Sequence, residues 1–129
     1  MNNCIGIINL DENEQKTTEL TRHRPLASLP IAGRYRVVDF VLSNMTNSGI
    51  EVIGIFTKNK SRSLMDHLTN GRPWDMHRKK DGLKVFNFGD IDPVHDDVHN
   101  FLENIDYFDY SKKEYTLICS SYMICNINY

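Results

Sequence analysis

Three short stretches of this chain are apolar almost without interruption: residues 4–10 (CIGIINL), 52–56 (VIGIF) and 115–119 (YTLIC). Runs of this length without polar alternation suit strands buried on both faces of a parallel sheet. Between them the spacing changes. Residues 35–45 carry Val37, Val38, Phe40, Val41 and Leu42, with Met45 one turn on. That period predicts a helix, and Asn47-Ser48-Gly49 supplies its stop. Ser61 stands where a cap would start a helix through Leu68, with Leu64, Met65 and Leu68 on one face. Residues 95–108 place Val98, Phe101, Leu102 and Ile105 at three-four spacing and predict another helix. Residues 83–88 read as a strand, and 123–129 as the start of one more. Residues 11–24 are polar, a loop or weak helix, and 71–82 are a charged loop.

Strands alternating with helices imply a three-layer α/β architecture around a mostly parallel sheet flanked by helices. In such sheets ligands bind outside the carboxyl ends of the strands. The positions to inspect are therefore the loops after Leu10, Phe56 and Cys119. A hydrophobic content of 40% supports a packed core and argues against disorder. Net charge is −2, from 15 basic and 17 acidic residues, so no overall basic field calls for nucleic acid. No apolar run approaches the ~20 residues of a membrane span. The start, MNNCIGIINLDENE, has no positively charged leader region. Cys4, Cys119 and Cys125 form no CxxC pair, and the first two sit within apolar runs. Reduced core thiols in a cytoplasmic protein are the expectation.

The candidate chemistry is basic. Arg22, His23 and Arg24 precede a proline-punctuated stretch, and Arg34 and Arg36 flank the predicted helix start. Arginine grips phosphate bidentately, so this cluster has the composition of a site for a phosphorylated effector or sugar phosphate. Equally, Arg34 and Arg36 could pair with carboxylates such as Asp39 and orient the helix. Lys58, Lys60 and Arg62 follow the second strand, as an anion site or a solvated face. Trp74, the one tryptophan, is expected to anchor its loop on the domain. His95 and His99 have zinc-compatible spacing but no evident third ligand, so no metal site is assigned. After the third strand come Ser120, Ser121 and Tyr122, none of which supplies the carboxylate that holds Mg²⁺ in nucleotidyl transfer. The acidic loop after the first strand (residues 11–17, DENEQKT) has no glycine to admit a polyphosphate.

GRYRVVDF and LSNMTNSGI, within residues 30–50, and HLTNGRPWDMHRKKDG at 67–82 together resemble the ADP-glucose pyrophosphorylase (glucose-1-phosphate adenylyltransferase) family over essentially the whole chain. In detail the chain resembles the GlgD-type subunit more than the catalytic type. Where the catalytic family has a glycine-rich, arginine-bearing loop, this chain has residues 11–17. A Lys-Pro pair is replaced by Leu26-Ala27, a Gly-Asp-His metal motif by Ser121-Tyr122-Met123, and a Gly-Thr-Ala-rich helix start by Asp96-Asp97-Val98. The resemblance implies part of a Rossmann-like nucleotidyltransferase domain spanning residues 1–129. The rest of that domain and a left-handed β-helix would lie in sequence beyond this chain. It further implies a regulatory, non-catalytic or weakly catalytic subunit that joins a catalytic partner in a heterotetramer, supporting ADP-glucose synthesis for glycogen. The family reaction uses Mg²⁺, but no cofactor is expected on this chain. No catalytic residue carries over. The effector or phosphate candidates are Arg22, Arg24, Arg34, Arg36, Lys58, Lys60 and Arg62. The alternatives are an active adenylyltransferase and a stand-alone sugar-phosphate or effector-binding module.

Overall fold

The computed structural model describes residues 3–10, 18–57, 62–68, 74, 82–87, 101–102 and 104–129. Its sheet has four parallel strands in the order β5-β4-β1-β6: β1 (Cys4–Asn9), β4 (Val52–Thr57), β5 (Leu83–Asn87) and β6 (Tyr115–Ser120). The three apolar runs are thus three neighbouring strands. Ile5 pairs with Val52 on one side and Thr116 on the other.

Both faces of β1 and β4 are covered, which is why these strands are apolar without alternation. On one face α2 (Val37–Asn47) and α3 (Arg62–Leu68) enclose Cys4, Ile8, Leu10, Ile53 and Ile55 with Val38, Val41, Leu42, Met45, Leu64 and Leu68. On the other, α4 (Ile105–Ser111) sets Tyr107 against Ile5, Ile7, Val52 and Phe56, beside Phe86, Phe101 and Phe108. Glycine marks the close approach on each side. A Cβ on Gly6 would lie 2.7 Å from the Met45 Sδ, and one on Gly54 would lie 3.0 Å from Tyr107 Cε1.

The helix expected from Tyr35 begins two residues later. Tyr35–Arg36 (β3), expected as the helix start, instead pairs antiparallel with Pro30–Ile31 (β2) in a small hairpin. Its turn uses left-handed backbone at Ala32 (φ 50°) and Gly33 (φ 81°). A short helix, α1, occupies Thr18–Thr21. On α3, Leu64 and Leu68 are buried but Met65 is 48% exposed, because only the first two share a stripe. The helix expected over 95–108 is interrupted where it is described. Asn104 has non-helical backbone (φ −112°, ψ 24°), and α4 runs past Phe108 to Ser111, ending at Lys112 in left-handed conformation. Lys112 is not the glycine usual at such an end.

Residues 123–129 are not a strand. They cross the carboxyl half of α2 as an extended strap. Asn44 Nδ2 donates to the Cys125 carbonyl (2.9 Å), Ile127 N–H donates to Asn44 Oδ1 (3.4 Å), and Tyr129 N–H donates to Ser48 Oγ (2.9 Å). Helix side chains thereby take the backbone groups a neighbouring strand would otherwise satisfy. Trp74 is half-buried against the α2–α3 core, with Nε1 3.3 Å from Ser43 Oγ, as an anchor should be. Cys4 and Cys119 are buried free thiols and Cys125 is half-buried. No helix among the described residues is long and apolar enough to cross a membrane.

Candidate functional site

Two places lie at the carboxyl end of the sheet. The first is the crevice between β1 and β6. There the chain, having stepped outward from β1 through β4 to β5, returns to the other side of β1. That reversal makes it the topological switch point. From β6 it receives Ser120, buried Ser121 and exposed Tyr122. These can donate and accept hydrogen bonds, but none is a carboxylate. No group of three or more His, Cys, Asp or Glu suited to a metal occurs among the described residues. The acidic loop after β1 and the expected zinc-spaced histidines His95 and His99 lie outside the described residues.

The second place is a basic cleft of about 530 Å³ lined by Arg22, His23, Arg36, Arg62, Ser63 and Asp66. Three of the seven cations picked out from the sequence, from three separate segments, thus share one cavity. Arg22 and Arg62 are exposed and Arg36 is half-buried. Arg24 and Arg34 do not line the cleft: the first is half-buried, and the second is exposed in the β2–β3 turn. Lys58 and Lys60 fall outside the described residues.

Arg36 is held in place by neutral groups. Its Nη1 donates to Ser28 Oγ at 2.6 Å and to Ser63 Oγ at 2.9 Å, with the carbonyls of the same serines at 3.4 and 3.2 Å. These contacts tie the 3₁₀ turn Leu26–Ser28 to the first turn of α3. A guanidinium carries five donors in a rigid fork, so the bonds made by this one nitrogen leave donors for an anion.

Among the described residues Asp39 partners no arginine side chain, the pairing that the sequence left open. Its Oδ2 accepts from the Arg36 backbone N–H (2.9 Å), satisfying one of the orphan amides at the α2 start. Its Oδ1 is 2.7 Å from His67 Nε2. The geometry follows from helical spacing. Arg36 and Asp39 are three apart at the head of α2, Ser63 and His67 four apart on α3, so each pair shares a face. The two faces meet in two rungs, Arg36–Ser63 and Asp39–His67. Ser28, Ser63, Asp66 and His67 were absent from the sequence-derived candidates. The i, i+4 spacing of Ser63 and His67 was visible, but nothing in the sequence said which helix that face meets.

Residues 15–127 match the model of the nucleotidyl transferase family. The chain belongs to that family. It is 41% identical over 131 residues to the glycogen biosynthesis protein GlgD of Bacillus subtilis and 42% identical over 132 residues to that of Geobacillus stearothermophilus. Each alignment covers 99% of this chain and 38% of the relative. A glucose-1-phosphate adenylyltransferase of Clostridium acetobutylicum is 35% identical over 121 residues, covering 85% of this chain and 30% of that protein. The chain therefore spans between 30% and 38% of the length of these curated relatives. In this nucleotidyl transferase chain the parallel sheet supplies the family framework, and the basic cleft is built beside it from the hairpin and α3.

Proposed function

We propose that this chain is part of a regulatory subunit of glucose-1-phosphate adenylyltransferase, non-catalytic or weakly catalytic, that supports ADP-glucose synthesis for glycogen. The observation that carries the reading is the chemistry at the end of β6. Nucleotidyl transfer needs preorganised charge around the phosphates, with a carboxylate-held Mg²⁺ bridging them to the attacking oxygen. The chain offers two serines and a tyrosine there, neutral hydroxyls that bring none of the negative charge by which carboxylates hold a divalent cation. The residues present do not fit the ion, and no step is assigned through it. Higher identity to the two GlgD proteins than to the adenylyltransferase supports the same reading.

In this reading the basic cleft is the regulatory part. Arg22, Arg36 and Arg62 would bind the anionic group of a phosphorylated effector, and the partner would be a catalytic subunit of the same family. The test is pyrophosphate release from ATP, Mg²⁺ and glucose 1-phosphate by the full-length protein, alone and mixed with a catalytic adenylyltransferase chain. Silence alone and a changed rate in the mixture are expected. Turnover by the protein alone would overturn the reading and require another carboxylate to hold the metal. An unchanged rate in the mixture would leave a ligand-binding module without a catalytic partner.

A further inference from the structure

The two rungs between α2 and α3 connect the basic cleft to a group outside it, and this inference rests on the anion-binding reading of that cleft. His67 does not line the cleft, yet it is one carboxylate away from the arginine that does. Asp39 holds the Arg36 amide with one oxygen and His67 Nε2 with the other. Among the described residues, the charged and titratable groups around His67 are Asp39 from α2, the Arg36 guanidinium reached through Ser63, and Asp66 beside it on α3 itself. The Trp74 ring packs edge-on against the imidazole, with centroids 6.4 Å apart. His67 and Asp39 side chains are 19% and 10% exposed, so water screens their interaction only partly.

We propose that the protonation of His67 sets how strongly the cleft holds an anion. When His67 is neutral, Asp39 keeps its full negative charge, whose field lowers the positive potential that Arg36 offers the cleft. Histidine is the side chain whose charge ordinarily changes near neutral pH. Once His67 is protonated, Asp39 is neutralised by a charge-assisted hydrogen bond. Arg36 then acts on the cleft with its full charge, still fixed in place by Ser28 and Ser63. Anion affinity rises as pH falls, by about fivefold for one charge acting through partly screened protein. By linkage the effect is reciprocal: a bound anion must favour the protonated imidazole to the same extent.

Trp74 makes this measurable, because a protonated imidazole quenches a neighbouring indole, and comparison with Trp74→Phe isolates its share of the emission. Sulfate is the probe, since its own charge is constant between about pH 5 and about pH 8, where histidine changes its charge. Sulfate binding to the full-length protein would be followed by calorimetry across that range, and Trp74 fluorescence titrated with and without saturating sulfate. Tighter binding at the acid end is expected, together with movement of the fluorescence transition to higher pH when sulfate is present. His67→Gln keeps a donor towards Asp39 without the charge and should make the affinity profile shallower, leaving the part due to His23. His23→Gln should leave the sulfate-induced movement of the Trp74 transition intact, which separates His67 from the histidine lining the cleft. Sulfate that binds without moving the Trp74 transition overturns the proposal and spares the cleft. A His67→Gln profile that matches the wild type does the same. No sulfate binding at any pH removes the cleft reading as well. Should His67→Gln fail to fold, the fluorescence arm decides on the wild-type protein alone.

Discussion

Arg36 and Asp39 divide their partners in a way that charge alone does not forecast. Opposite charges three residues apart on a helix would ordinarily pair side chain to side chain. Here the carboxylate turns to the backbone N–H of Arg36 and to His67, and the guanidinium turns to two serines. The sequence made the arginines legible as a cluster but could not rank them. Which cations share a cavity depends on where the hairpin and α3 meet, a contact between residues 27 apart in sequence. Gly6 is a sharper case. It reads as one more residue in an apolar run, yet its missing side chain is where Met45 seats. Gly6→Ala should destabilise the protein by about 1–3 kcal/mol through overpacking, measured by chemical denaturation. Tyr129 makes a pH prediction. Burial, and then its hydrogen bond with Cys119, push the phenol up to about 12. Its contribution to stability is complete below the ordinary tyrosine value and is lost as pH rises through about 12. Stability should therefore decline over that alkaline interval. Absorbance at the tyrosinate band should show a late-ionising member among the six tyrosines, and Tyr129→Phe should abolish that step.

The elements most legible in advance were those whose period is set by burial alone. The apolar runs at 4–10, 52–56 and 115–119 became neighbouring strands because two covered faces leave no room for alternation. Residues 123–129 were misread as a strand start for the same reason inverted. Met123, Ile124 and Ile127 look like core, but they are exposed on a strap whose backbone is held by Asn44 and Ser48. Apolar pattern cannot see a backbone satisfied by helix side chains. The hairpin Pro30–Ile31/Tyr35–Arg36 was hidden because two-residue strands are too short to show a period. The strap yields a direct test. Asn44→Ala removes both contacts of its side chain with the strap and should ease local opening by about 1–1.5 kcal/mol, or about tenfold. The half-buried Cys125 should then react about tenfold faster with a thiol reagent such as Ellman's, while buried Cys4 remains slow. Equal Cys125 rates in the two proteins would mean that Asn44 does not govern the strap.

At the scale of the whole molecule, fold class and family were readable because strand–helix alternation and the two motif segments agree across the chain. The cleft was only partly readable, since it is assembled from three separate segments and its fixing groups are serines and a histidine that carry no phosphate signature. One feature of the sheet reaches further than the site. β1 sits in the interior of the order β5-β4-β1-β6, and its outer partner β6 follows only after β4 and β5, with Cys4 opposite Tyr115. Such pairings demand closure of a long loop before any ladder energy returns. During synthesis β1 therefore waits, with one edge unzipped, until the residues up to Ser120 have left the ribosome. In that interval β1 presents an unpaired backbone edge bordered by Cys4, Ile5, Ile7 and Ile8, the kind of surface that chaperones bind. For a chain wired in this order, yield in the cell depends on the pace of translation as well as on the stability of the finished sheet.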